Sequence, residues 1–307
     1  MIERTTITFV GLEHPAYEAR GASGGPHVAL IGGIHGCEYS SIAAVTRFMN
    51  ELDSGELVGS ITAVPVVSMQ SFRQRSPFVV PEDGKNLNRT FPGSYEGTYT
   101  DALARSIFDQ VIEPADVLLD LHGGDLVEAL EPFAIHDASP VEERAHAIAL
   151  AFGLPYVVRQ GPDESGLGGM TSSAAASAGI PAVIAEAGGC GQLEEAATTM
   201  LVEGVRNVLR HLEMLPGAPT PPKAGTRVVG RFIWARAGHD GWWQPVVAAG
   251  DEVTEGQLVG TIRTLYGDVL EELHAARNGV VLFLTTSPAV SVDGPLLGLG
   301  AELTPAT

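Results

Sequence analysis

The run Val28-Ala29-Leu30-Ile31-Gly32-Gly33-Ile34-His35-Gly36-Cys37-Glu38 decides how the rest of the chain is read. An unbroken apolar stretch, suited to a strand buried on both faces, ends in a glycine pair and then presents an imidazole and a carboxylate three residues apart. Residues 39–52 follow with the periodicity of an amphipathic helix. Strand, glycine turn and helix in that order form the unit of an α/β sheet, whose ligands bind outside the carboxyl ends of the strands. Gly36, between the two ionisable residues, is expected to relax the backbone so that both side chains converge.

The pattern returns along the chain. Residues 116–121 (DVLLDL) run into His122-Gly123-Gly124-Asp125, and residues 181–186 (PAVIAE) run into Ala187-Gly188-Gly189. Further strands are expected at 28–34, 61–67, 132–136 and 156–159, with helices at 39–52, 100–113, 140–152, 170–178 and 192–213. Nearly continuous apolar strands between amphipathic helices predict an α/β domain, its sheet flanked by helices on both faces.

This domain is expected to span residues 1–214. Leu215-Pro216-Gly217-Ala218-Pro219-Thr220-Pro221-Pro222 then places four prolines in eight residues, a stiff extended linker assigned to 215–225. Residues 226–307 change character to short strands and glycine turns without a convincing helix. Segments 246–262 and 280–299 each pair a valine-rich strand with a glycine turn and a Leu-Gly strand, which predicts a smaller all-β barrel-sandwich domain. It resembles biotinyl and lipoyl carrier domains, but no lysine follows Lys223, so covalent carriage is excluded.

The chain has 307 residues, ample for two domains at roughly 100–200 each. Its 45% hydrophobic content supports real cores without disulfides. Eighteen Lys+Arg against 37 Asp+Glu give a formal charge of −19, which repels phosphate backbones and anionic lipid. Nucleic-acid and membrane partners are therefore not expected. Two cysteines cannot form a disulfide framework, Met1-Ile2-Glu3-Arg4 carries no apolar leader, and no run approaches the ~18 apolar residues of a membrane span. The expected location is the cytoplasm.

Three apolar strands ending in His35 with Glu38, in His122 and in Glu186 are not explained by packing, because ionisable groups there destabilise the fold unless paired or ligated. Two His and one Glu form the ligand set of a catalytic zinc site with a position open for water, and a further carboxylate can shuttle the proton. His35, Glu38 and His122 are expected to hold one zinc ion per chain, with Glu186 as general acid/base. The exchange of Glu186 for Glu38 in these roles is equally allowed by the residues. Manganese, cobalt or iron also suit the donor set.

A loop without helical or strand period carries Arg73-Gln74-Arg75-Ser76-Pro77 and then Asp83-Gly84-Lys85-Asn86-Leu87-Asn88-Arg89-Thr90-Phe91-Pro92-Gly93. Arginines concentrated there in so acidic a chain suit a substrate carboxylate and a developing oxyanion.

Taken in order, GGIHGCE, DGKNLNRTFPG, DLHGG and AEAGG resemble the succinylglutamate desuccinylase/aspartoacylase family of zinc carboxypeptidase-like hydrolases, over about residues 28–190. The resemblance implies a mixed sheet and a zinc-dependent deacylase that hydrolyses the amide of a small N-acyl amino acid. It implies that His35, Glu38 and His122 bind the metal, that Glu186 is the base, and that Asn88 and Arg89 bind the substrate carboxylate. It places the oxyanion arginine upstream of Asn88. Arg75 is chosen over Arg73, although the loop here is longer than in the aspartoacylases.

Two rivals remain at this level: a zinc carboxypeptidase acting on peptides, and a non-catalytic metal-binding protein. Open strand edges of the barrel leave room for a homo-oligomer. His14, His27, His136, His146, His211, His239 and His274 are expected to be surface or satisfied polar groups, and Cys37 and Cys190 small buried thiols. Asp125 is a candidate to orient a ligand imidazole. Trp242-Trp243 and Tyr266 are expected to pack against the first domain.

Overall fold

The computed structural model describes residues 1–161, 168–220 and 225–306. It opens with a hairpin, β1 (Ile2–Phe9) and β2 (Leu12–Arg20), followed by β3 (Ser23–Gly32), helix α1 (Tyr39–Glu51) and β4 (Val58–Val64). Helix α2 (Met69–Gln74), a 3₁₀ turn at Leu87–Arg89, helix α3 (Tyr99–Ile107) and a π turn at Phe108–Ile112 lead to β5 (Val117–His122). Next come β6 (Glu128–Leu130), β7 (Phe133–Asp137), α4 (Glu142–Phe152), β8 (Tyr156–Gln160), α5 (Thr171–Ser177), β9 (Ala182–Glu186) and α6 (Glu195–His211).

The remaining segment is all strand. It comprises β10 (Arg227–Arg236), β11 (Gly241–Pro245), β12 (Glu252–Val253), β13 (Leu258–Arg263), β14 (Val269–His274), β15 (Gly279–Thr285), β16 (Ala289–Val290) and β17 (Pro295–Pro305). The expected linker lies between α6 and β10, with residues 221–224 outside the described residues.

The central strands are buried almost throughout, and their side chains alternate between two covered faces. Leu30, Leu119 and Leu121 face α1, α4 and α6, where they meet Phe48, Phe152 and Leu201. Ala29, Ile31 and Leu118 face the other layer, against Leu103, Ile107 and Ala175. A fully buried ring such as Phe48 contributes roughly 2–3 kcal/mol through burial alone.

The large sheet runs β1-β2-β4-β3-β5-β9-β7-β8-β10-β17-β15-β12, with β6 attached to β15. The strands β3, β4, β5 and β9 are mutually parallel, whereas β7 runs antiparallel to β9. A second sheet, β14-β13-β11-β16, completes the C-terminal β unit. Thus the main sheet continues through the parallel pair β8–β10 into the C-terminal strands. Phe133, Tyr156 and Val158 share a core there with Val229, Val280 and Leu282.

The β1–β2 hairpin and the three-residue β6 were not among the expected elements. The hairpin turns at Val10 and Gly11, both at positive φ, and valine gives no turn signal at that position. Among the described residues no helix is long and apolar enough to cross a membrane.

Candidate active site

His35, Glu38 and His122 meet at the carboxyl ends of β3 and β5, with ligand atoms all within 4.8 Å of one another. Glu38 occupies the N-cap position of α1, where a carboxylate would ordinarily accept backbone N–H groups of the first turn. Its side chain makes no such cap. Instead Oε1 lies 2.6 Å from His35 Nδ1, and Oε2 lies 3.0 Å from His122 Nδ1.

Gly36 serves this turn differently from the expectation. Its role is close approach: a Cβ there would sit 2.1 Å from the Phe72 nitrogen of α2. The left-handed residue of the turn is Gly33, at φ +63°.

The outer nitrogens fix both rings. His35 Nε2 lies 3.1 Å from Asn86 Oδ1, and His122 Nε2 lies 3.0 Å from Asp120 Oδ2. The Thr171 hydroxyl donates to that same Asp120 oxygen at 2.5 Å. Asp120, not Asp125, is therefore the carboxylate that orients the His122 imidazole. Asp125 accepts the backbone N–H groups of Phe78 and Leu126. Asp120 stands two residues before His122 on the same strand, hence on the same face.

This donor set fits a metal ion. Each imidazole faces an acceptor at both nitrogens, an arrangement a neutral ring cannot satisfy by donating one proton. A cation at the Nδ1 side answers both rings and Glu38 together. Glu38 and Asp120 are buried at 4% and 0% exposure, so two carboxylates need positive charge in this small volume. Burial alone would raise Glu38, but the flanking imidazoles of His122 and His35 hold its carboxyl down at about 2.

Strand register brings Glu186 to the cluster. β5 and β9 pair in parallel with His122 opposite Glu186, which puts both side chains on one face. Burial, reinforced by Glu38 and opposed by His122, pushes Glu186 up to about 8. A carboxyl poised near neutrality can both take and return a proton.

The cluster forms one end of a cavity of about 150 Å³ that also receives Asn88, Arg89 and Glu186. Asn88 Oδ1 accepts the Thr171 N–H at 3.0 Å, so what the amide has left to offer is its donor group. Arg89 donates to the Asn88 carbonyl at 2.7 Å. Neither Arg73 nor Arg75 lines this cavity, and both are exposed. Arg75 is the left-handed cap of α2, at φ 54°.

Much of the remaining lining is apolar. Phe133 and Ile135 of β7, Val158 of β8, Phe232 and Trp234 of β10 and Phe283 of β15 form it. Trp234 stands 5.0 Å from both Phe232 and Phe283, measured between ring centroids. Trp242-Trp243 and Tyr266, expected to pack against the first domain, are not part of this wall. Trp243 is buried within the C-terminal core and donates to the Thr285 carbonyl, while Tyr266 is 97% exposed. Cys37 is buried as expected, whereas Cys190 is only half-buried.

Comparison with known proteins agrees with this geometry. Residues 24–212 match the succinylglutamate desuccinylase/aspartoacylase catalytic domain. The chain belongs to the succinylglutamate desuccinylase/aspartoacylase family. An N-α-acetyl-L-2,4-diaminobutyric acid deacetylase of Halomonas elongata is 31% identical over 269 residues, covering 84% of this chain and 77% of that protein. A crystal structure of a family member from Rhodobacter sphaeroides superposes with a TM-score of 0.85 at 25% identity, covering 100% of this chain and 95% of the other. The product-bound ectoine utilization protein EutE (DoeB) of Ruegeria pomeroyi superposes with a TM-score of 0.84, also at 25% identity, over 97% and 93% of the two chains. The likeness extends through the C-terminal β unit that walls the cavity. The Halomonas relative is a deacetylase by name and the matched domain is that of desuccinylases and aspartoacylases, which supports a hydrolase acting on amide bonds.

Proposed function

We propose that this protein is a zinc-dependent deacylase that hydrolyses the amide of a small N-acyl amino acid. N-α-acetyl-2,4-diaminobutyrate is the first substrate to try, given the Halomonas relative. The observation that carries the reading is the register pairing of Glu186 with His122 across β5 and β9, which sets a near-neutral carboxyl beside the His35-Glu38-His122 cluster. These three residues would hold the zinc, which when bound supplies Lewis-acid charge and makes water more acidic.

Glu186 accepts a proton from water as its oxygen attacks the amide carbon. As the carbon–nitrogen bond breaks, Glu186 returns the proton to the departing amine. The Arg89 guanidinium and Asn88 amide hold the substrate carboxylate and so fix the amide relative to Glu186. The oxyanion role of Arg75 rests on the family resemblance alone, because the side chain stands outside the cavity.

Phe232 and Trp234 of β10 and Phe283 of β15 help confine the cavity to about 150 Å³, a volume that favours small substrates over polypeptides. Metal identity and a cytoplasmic location belong to the same proposal. The test is amine release from a panel of N-acetyl, N-succinyl and N-formyl amino acids together with dipeptides. Glu186→Gln is expected to lower kcat/KM by about 10²–10⁴ with metal content unchanged. Cleavage confined to dipeptides, or an active Glu186→Gln enzyme, would overturn the reading.

A further inference from the structure

The cavity contains a carboxylate that amide hydrolysis does not use. Glu128, at the start of β6, lines it together with His35, Glu38 and Glu186. Its backbone is clamped from two sides: β6 pairs with β15, Glu128 opposite Thr285, and the Glu128 carbonyl accepts the Cys190 N–H at 2.8 Å. The side chain is thereby committed to the cavity. Oε2 accepts the Asp125 N–H at 2.9 Å. Oε1 makes no hydrogen bond or ion pair among the described residues, and it is not sealed away from the cavity.

Ionised in such surroundings, a carboxylate needs a cation, and without one it keeps its proton. Burial, with Glu38 adding to it, raises Glu128 to about 8. Among the described residues no lysine, arginine or histidine forms an ion pair with it, and Arg89 faces Glu186 as well as Glu128. Of the polar groups lining the cavity, Arg89 and Asn88 are assigned to a carboxylate and Glu186 to the proton, while Asn86 meets His35, Arg159 pairs with Glu142 and Gln160 meets Met170 Sδ. Glu128 remains for a third polar group on the substrate. A neutral hydroxyl or amide would leave Glu128 holding its proton, whereas an ammonium can pair with the ionised carboxylate and so draws on a group that no other ligand chemistry uses.

We infer that Glu128 is a specificity-determining residue whose free Oε1 binds an ammonium group, so that the preferred substrate is an N-acyl amino acid bearing a second, unacylated amine. This rests on the deacylase reading above.

The test compares N-α-acetyl-2,4-diaminobutyrate with N-acetylnorvaline, which replaces the ammonium by a methyl group at the same length. The parent enzyme is expected to favour the cationic compound by about a hundredfold in kcat/KM, and Glu128→Gln to lower that ratio by about thirtyfold. Glu128→Asp, which keeps the charge with a shorter reach, is expected to retain part of the preference. It also serves if the glutamine variant does not fold. Equal cleavage of the two compounds by the parent, or an unchanged ratio in Glu128→Gln, overturns the inference.

Calorimetric binding of free 2,4-diaminobutyrate and norvaline reads the same selectivity without turnover. Tighter binding of the diamine that Glu128→Gln removes supports the inference, and equal binding overturns it. If neither acetyl compound is cleaved but the diamine binds selectively, the deacylase reading falls and the role of Glu128 stands.

Discussion

His122 and His136 are each only 1% exposed, and both lie near the carboxyl end of a strand in the same sheet. His122 has Glu38 at Nδ1 and Asp120 at Nε2, and these carboxylates raise its pKa well above the ordinary value despite the opposing effect of burial. His136 meets another imidazole, His146 Nδ1, 3.0 Å from its Nε2, while its Nδ1 has no partner. Burial first, and then His146, lower His136 to about 4. Equal burial thus gives opposite outcomes, and the partner decides between them.

Direction in the sheet chooses the partner. Because β5 and β9 are parallel, their carboxyl ends coincide and form the site. β7 runs the other way, so its carboxyl end lies at the opposite edge, and its first residue, Phe133, is the one opposite Glu186.

The largest effect expected at the first histidine is loss of the metal. Dialysis against a chelator should lower turnover by more than about 10³-fold, with zinc restoring it in the parent but not in His122→Ala. Retained activity in metal-free protein would remove the basis for contrasting the two histidines.

A smaller change tests the partner itself. Asp120→Asn should weaken zinc affinity by about 10–100-fold, measured by competition with a chromogenic chelator, because the orienting charge is gone while the amide still fills its place. Unchanged affinity would mean that ring orientation comes from packing alone.

The smallest effect concerns His136, which is faced by His146, Glu142, Asp137 and Arg159. Its folded pKa lies below the unfolded value of about 6.5, so the unfolded chain takes up the proton first. Stability is fully present above pH 6.5, falls between about 6.5 and 4, and levels off below. The loss should be about 3 kcal/mol. His136→Gln should flatten that part of the thermal-midpoint profile, and an equally steep profile in the variant would place the acid sensitivity elsewhere.

Much of this was legible in the sequence, for local reasons. The central strands and all of the longer helices carry their periodicity over enough residues to be read, and His35, Glu38, His122 and Glu186 follow directly on those strands. What escaped depends on distant pairings. Glu128 enters the cavity because β6 pairs with β15, more than 150 residues later in the chain. The aromatic wall of Phe232 and Trp234 depends on β10 joining β8. Their two-residue spacing is a strand signal, but it does not say which face of β10 meets β8. Asp120 offered the same spacing to His122. His14 and His136, expected to be exposed or satisfied, are buried with one nitrogen each lacking a partner. Composition does not reveal such an orphaned atom.

The parallel join of β8 to β10 carries a consequence for how the two halves of the polypeptide stay together. Backbone hydrogen bonds and the shared core of Phe133, Tyr156, Val158, Val229, Val280 and Leu282 hold them, so covalent continuity between α6 and β10 is not what keeps the cavity assembled. A gene divided at that point would encode two complementary fragments, each with a bare sheet edge for which the other is the natural cover. The pocket would then be a joint between two polypeptides, with Glu186 on one and Phe232 on the other.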